Sequence, residues 1–104
     1  MNLDEIREAV ESKYQTLDIE VGGRTVVLLN PIRLPKNKRD QLAAIQKEIG
    51  DEGADTLDCM KRMLKTVIEK PADAKVLLDQ LGDDLAMYAE VVSQYGKRTQ
   101  VGEA

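Results

Sequence analysis

Apolar residues recur at intervals of three and four along most of the chain, and this spacing predicts amphipathic helices. The first helix is expected over residues 3–15, the second over 35–49 and the third over 55–69. Asp55 resembles an amino-terminal cap of the third helix. Pro71 ends that helix because proline disfavours a helical residue before it and cannot donate to the preceding turn.

A different pattern separates the first two helices. Residues 17–21 alternate apolar and polar side chains, Gly22-Gly23 follows, and residues 24–29 return with a run of aliphatic side chains. Because glycine tolerates positive φ, the pattern predicts a β-hairpin with a two-residue turn. In that register Leu17 faces Leu28, and one face of the ribbon is nearly all apolar. An isolated ribbon is marginal in water, so helices must pack on it.

The carboxyl-terminal apolar stripe has two interpretations. Leucine, valine and tyrosine residues step by three and four over residues 78–95, and one long helix would display the whole stripe. Against this, Gly82 interrupts the stripe, and glycine costs about 1 kcal/mol in a helix interior. Asp83-Asp84 directly after it resemble caps. We therefore favour two helices, over residues 71–81 and 83–95.

These elements define the predicted fold. The chain is expected to be α+β and predominantly helical, with four to five helices packed on one β-hairpin of strands 17–21 and 24–29. Residues 1–96 are predicted to form a single domain. Residues 97–104 show no periodicity and are predicted to form a flexible tail.

Composition narrows the class of protein. The 104 residues are 42% hydrophobic and 33% charged, which is typical of a soluble globular domain. The core must be aliphatic, because the chain has no Phe, no Trp and only three Tyr. A net charge of -4 argues against general affinity for nucleic acid. No apolar run approaches the ~20 residues of a membrane span, and the single cysteine cannot form an internal disulfide, so a cytosolic protein is expected.

No pattern in the sequence indicates catalysis. The chain has no histidine, which removes the commonest general base and metal ligand. Cys59 has no second cysteine or histidine to activate it and is predicted to be a small core residue. Four acids between Asp51 and Asp58 lack the spacing of a calcium loop and are interpreted as linker and cap. We predict no catalytic, cofactor-binding or metal-binding residues.

Two features instead suggest contact with another protein. Val27 and Leu29 lie on the ribbon face opposite the apolar one, so either helices wrap both faces or a second subunit or client covers the rest. Cations crowd the start of the second helix, where they oppose the helix dipole; they form either a solvent-facing basic surface or a contact with an acidic partner. Together with the carboxyl-terminal stripe, these features predict a partner or oligomer interface of Val27, Leu29, Arg33, Leu34, Lys36, Arg39, Tyr88, Val92 and Tyr95.

Several segments, by their sequence and their order along the chain, resemble those of a known protein family. They are NLDEIREAVESKY, LDIEVGGRTVVLLNPIRLPKNKRDQL, KPADAKVLLDQLGDDLAMYAEVVSQY and the final TQVGEA. In this the chain resembles the tail assembly chaperones of long-tailed (siphovirus) phages that infect actinobacteria. The resemblance covers nearly the whole chain. Its most distinctive blocks, LLNPIRLP and LLDQLGDDLA, are not catalytic signatures.

The resemblance implies a role without catalysis. Such proteins are similar to the lambda-type chaperones, which are made in a short form and a frameshift-extended form. These chaperones bind the tape measure protein, keep it soluble and promote assembly of the tail tube around it. The expected partners are therefore the tape measure protein, the tail tube protein, the extended form and further copies of this chain in a homo-oligomer. The expected location is the host cytoplasm, and the chain is not expected in the mature virion.

The residues alone leave a second class of function open. The chain could be a small dimeric DNA-associated regulator, similar to an antitoxin, with the hairpin as a dimer ribbon and the cations of residues 33–39 as the contact. That hypothesis predicts retention on heparin with a steep salt dependence, whereas the chaperone hypothesis predicts none. An enzyme would need a cluster of polar catalytic side chains in a pocket, and the sequence shows no pattern that indicates such a cluster.

Overall fold

The computed structural model describes residues 1–99 of the chain. It contains, in order, α1 (Leu3–Lys13), β1 (Leu17–Val21), β2 (Arg24–Leu28), a one-turn 3-10 helix (Pro31–Arg33), α2 (Lys36–Ile49), α3 (Thr56–Val67), α4 (Pro71–Leu81) and α5 (Leu85–Thr99). None of these helices is long and apolar enough to span a membrane. The prediction of a predominantly helical α+β fold with helices packed on one hairpin is confirmed.

The hairpin has the predicted register. Leu17 pairs with Leu28 and Val21 pairs with Arg24, and the strands are antiparallel. The turn residues Gly22 and Gly23 both have positive φ, at 52° and 81°. This is the backbone conformation for which glycine was expected, because a side chain there would be strained.

The outer edge of β2 is closed by the residues that follow α3. The N–H of Leu29 donates to the carbonyl of Val67 at 2.9 Å, and the N–H of Glu69 donates to the carbonyl of Val27 at 2.8 Å. The prediction that α3 continues to residue 69 is therefore wrong. The helix ends two residues earlier because its last residues become extended and complete the edge of the sheet.

The core lies between the inward face of the hairpin and helices α2, α3, α4 and α5. It is mostly aliphatic and also contains Cys59, Met63 and two tyrosines, whose rings are enclosed and whose hydroxyl groups are both satisfied. The hydroxyl of Tyr88 donates to the carbonyl of Gly82 at 2.9 Å, and that of Tyr95 donates to the carbonyl of Leu29 at 2.7 Å. Burying an aromatic ring with its polar tip satisfied avoids the cost of an unpaired hydroxyl.

The carboxyl-terminal stripe is divided between two helices, as predicted. Gly82 ends α4 with a φ of 60° and a ψ of -126°. The carboxylate of Asp84 then accepts from the N–H groups of Ala86 at 3.1 Å and Met87 at 3.3 Å. Since this cap satisfies amides at the first turn, α5 begins at Leu85 instead of residue 83.

Helix α5 continues further than the sequence predicts. The tail was expected to begin at residue 97, but residues 97–99 continue the helix. Tertiary contacts support this last turn, because the Nε of Arg98 donates to the carbonyl of Thr16 at 3.2 Å. The other residues of the predicted tail, 100–104, lie outside the described residues.

Helix α1 is the least embedded element. It contains no buried residue, and Leu3 and Ile6 are 58% and 45% exposed. It ends at Lys13, two residues earlier than predicted. The radius of gyration of 14.5 Å exceeds the about 13 Å expected for a compact chain of this length, which is consistent with an element that packs loosely.

Buried Asn30 joins three segments that are distant in sequence. Its Nδ2 donates to the carbonyl of Gln15 at 3.2 Å and to that of Thr99 at 3.3 Å. Its Oδ1 accepts from the N–H of Ile32 at 3.2 Å. One 2%-exposed amide therefore fixes the start of the hairpin and the end of α5 against the segment that leads into α2.

We predict that Asn30→Ala lowers the free energy of unfolding by about 1–3 kcal/mol, because two carbonyls and one amide lose their partner. Urea denaturation followed by circular dichroism measures this change. The matched control is Asn37→Ala on the exposed surface of α2, which should change stability by no more than about 0.5 kcal/mol. Equal urea midpoints for both variants would contradict the role of Asn30.

Candidate protein-binding groove

Three residues of the predicted interface lie in the core. Leu34 is 4% exposed, Tyr88 is fully enclosed and Tyr95 is 6% exposed. The structure therefore does not present these side chains to a partner. The two tyrosines were selected from the apolar stripe of α5, and that stripe faces the hairpin and α3.

The other apolar residues of the predicted interface are half-buried. Leu29 and Val92 pack against the core, while Val27 stands outside the core cluster. The helices thus cover part of both faces of the ribbon and leave some of Val27 accessible.

The predicted cations are exposed. Arg33 lines a hollow of about 620 Å³ beside α1 and the end of α5. Arg39 lines a smaller hollow beside Ile32, and Lys36 forms an ion pair with Asp40 at 2.8 Å.

A more continuous surface crosses α2, α3 and α4, and we call it the α2–α4 groove. It consists of two adjacent hollows of about 400 and 460 Å³. The first lies between α2 and α3, and the second between α3 and α4. Their lining residues are Lys38, Gln41, Ala44, Ile45, Arg62, Lys65 and Thr66 in the first, and Lys38, Lys65, Pro71, Ala74, Lys75, Leu78 and Asp79 in the second.

The floor of the groove is apolar and its rim is cationic. Ala44 and Pro71 are exposed and Leu78 is half-buried, and they give the hollows an accessible aliphatic surface. Ile45 and Ala74 are largely buried and connect this surface to the core. Lys38 on α2 and Lys65 on α3 line both hollows. This combination suits a partner with an apolar stripe and polar flanks better than it suits a small polar substrate.

Two of the four cations that line the groove already have an acidic partner. Lys75 pairs with Asp79 at 3.2 Å, and Arg62 pairs with Asp58 at 2.9 Å and also with Glu48. The hydrogen bond from Arg62 lowers the pKa of Glu48 below its ordinary value, so this pair stays charged at neutral pH.

Lys38 and Lys65 differ from these neighbours. Neither forms an ion pair with any of residues 1–99. Lys38 is half-buried, and Lys65 is exposed. The groove therefore keeps two uncompensated positive charges on a chain whose net charge is -4.

Cys59 and Asp55, which the sequence analysis considered as a possible nucleophile and a possible cation ligand, both have structural roles. The prediction that Cys59 is a core residue is confirmed: it is fully buried, and burial raises the pKa of its thiol. The thiol lies 3.1 Å from a carboxylate oxygen of Glu48. Asp55 caps α3 by accepting from the N–H of Asp58 at 3.0 Å, as predicted.

Sequence reasoning missed the groove residues, although one signal was present. Lys61 and Lys65 are four residues apart on α3, and Arg62 lies between them, so the polar face of this helix is strongly cationic. The apolar floor could not be identified in this way. Ile45 and Leu78 meet the same surface only because α2 and α4 both pack against α3.

Together, the fold and the groove define a small, predominantly helical α+β domain with an apolar, cation-rimmed groove on its surface. The comparison with protein families identifies the domain. A model of the mycobacteriophage tail assembly protein family matches residues 1–104, so the chain belongs to that family. No curated protein and no solved structure gives a significant match.

We predict that Tyr95→Phe lowers the free energy of unfolding by about 0.5–1.5 kcal/mol at neutral pH, because the carbonyl of Leu29 loses its donor. Burial raises the pKa of Tyr95, so its contribution is fully present below the ordinary tyrosine pKa of about 10 and is lost as pH rises above it. The stability difference between wild type and variant should therefore shrink above pH 10.

Urea titrations at several pH values between 7 and 11 test this prediction. The control is Tyr14→Phe, since the hydroxyl of Tyr14 makes no hydrogen bond to any of residues 1–99. A Tyr95→Phe difference that is constant over the whole pH range would show that ionisation of this hydroxyl does not contribute.

Proposed function

We propose that this chain is a tail assembly chaperone that binds the tape measure protein, keeps it soluble and promotes assembly of the tail tube, without catalysis. Membership of a phage tail assembly family supports a role in the assembly of the phage tail. The observation that carries the molecular role is the α2–α4 groove, whose aliphatic floor is open on the surface of a folded domain.

The proposed client has the complementary shape. Tape measure proteins are long helical polymers with apolar stripes, and such stripes aggregate when nothing covers them. An amphipathic helix docks in a groove through side chains at positions i, i+3, i+4 and i+7. In this proposal the accessible apolar residues Ala44, Pro71 and Leu78 replace water around the stripe of the client.

The size of the groove favours many copies on one client. Helix α4, which forms one wall, has 11 residues and is about 16 Å long, so one groove covers about three turns of a bound helix. A client of many hundreds of residues therefore needs many copies, and weak contacts add up along it. Self-association, which the family resemblance implies, would strengthen this effect, and we include it in the proposal.

Co-expression with the tape measure protein of the same phage tests the function. The client made alone should be found mostly in the insoluble fraction, whereas co-expression with this chain should move most of it into the soluble fraction and the two should copurify. The physical reason is that a covered apolar stripe cannot associate with another stripe. A client that stays insoluble and does not copurify would refute the chaperone role.

A pair of variants tests the groove as the site. Ala44 is exposed and lines the first hollow, so Ala44→Trp places a large ring where the client helix would lie. We expect it to reduce the soluble client several-fold. Ala89→Trp, at an exposed position of α5 away from the groove, should behave as wild type. Equal rescue by both variants would place the client elsewhere on the domain.

A further inference from the structure

We infer that the α2–α4 groove selects amphipathic helices whose apolar stripe is flanked by carboxylates. The inference rests on the proposed function for the identity of the client. The preference itself is a property of the groove and can be measured with synthetic helices. Its basis is the position, beside an apolar floor, of two cations that form no ion pair within residues 1–99.

The two cations stand where the flanks of a docked helix would lie. Lys38 belongs to α2 and Lys65 to α3, and both line the two hollows, each of which has apolar residues of its own. A helix lying on that floor brings the residues beside its stripe close to these ammonium groups. Carboxylates at those positions gain an ion pair, while lysines at the same positions meet like charge.

The absence of an internal partner makes this charge available. Within residues 1–99 the neighbouring cations Arg62 and Lys75 are engaged by acids, whereas Lys38 and Lys65 are not. Forming a pair with a client therefore breaks no ion pair in the free protein. Part of the Lys38 side chain is already buried, which limits the conformational freedom that binding would remove.

Helix α1 of a second copy fits the groove poorly. It carries an exposed apolar stripe that includes Leu3 and Ile6. At helical spacing, Arg7 and Lys13 lie at the borders of that stripe, and the acids of α1 lie farther from it. Docking α1 in the groove would thus bring cations towards cations, opposite to the flanks that the groove favours.

Nucleic acid is also a poor match for this surface. The groove exposes an aliphatic floor without aromatic residues for base stacking, and the whole chain is acidic. Nucleic-acid binding depends on a surplus of cations that neutralises many phosphates. Two lysines beside an apolar floor are instead suited to an acidic, partly apolar polypeptide.

Three labelled peptides of about 20 residues provide the first test. They share one leucine stripe at helical spacing and carry Glu, Gln or Lys at all flanking positions. Fluorescence anisotropy at low salt should give the tightest binding for the Glu peptide, on the order of tenfold tighter than for the Lys peptide, because two exposed ion pairs separate them. The difference should shrink at 0.5 M salt through screening. Equal affinity for all three peptides would overturn the inference.

Charge reversal in the groove provides the second test. The double variant Lys38→Glu/Lys65→Glu should bind the Lys peptide better than the Glu peptide. The control Lys47→Glu/Lys97→Glu changes the net charge equally, at exposed positions outside the groove, and should keep the wild-type order. Inversion in both variants would show that net charge, and not the groove, sets the preference. Circular dichroism verifies that each variant is folded.

If a second copy of the chain or duplex DNA occupied the groove, the experiments would give different results. If sedimentation shows an oligomer of the chain alone that the groove variant dissociates and the control variant does not, a second copy fills the groove and the inference is wrong. Duplex DNA binding that only the groove variant loses would overturn it in the same way. Failure of the proposed function is separable: the client would then stay insoluble in co-expression although the groove still prefers the Glu peptide.

Discussion

The pairing between β2 and the residues after α3 holds the rest of the structure in place. A two-stranded ribbon is marginal alone, and a third short extended segment gives β2 a partner on both edges. The two hydrogen bonds that link Leu29 to Val67 and Glu69 to Val27 place the end of α3 on the hairpin. Pro71 then starts α4 immediately, so α4 contacts β2 and runs beside α3. The α3–α4 half of the groove depends on this pairing.

Local features of the fold were predictable from the sequence because their causes are local. Gly22 and Gly23 fix the hairpin turn, and through it the strand register, without help from the rest of the chain. Gly82 and the cap at Asp84 separate α4 from α5 by the same kind of short-range preference. Each of these features needs only a few neighbouring residues, so a pattern in the sequence reports it directly.

Features that depend on distant residues could not be predicted in this way. The last two residues expected in α3 are extended and lie along the edge of β2 instead. Helix α5 has an additional last turn, which hydrogen bonds of Asn30 and Arg98 stabilise. The candidate interface shows the same limit. Tyr88 and Tyr95 looked like surface anchors because a stripe of spacing three and four does not reveal which partner it faces. Lys38 and Lys65 are 27 positions apart in sequence, and only the packing of α2 on α3 brings them to one rim.

The distribution of open surfaces suggests what kind of polypeptide this domain handles. The outer edge of β2 is already paired, and the edge of β1 carries the exposed acids Asp18 and Glu20. Charged side chains on an edge strand discourage the addition of another strand. The α2–α4 groove, by contrast, is open and has an apolar floor. The proposed chaperone role would need this difference, because strand addition leads to aggregation while helix docking is reversible and has a defined length. The fold thus closes the route of strand addition and leaves the route of helix docking open.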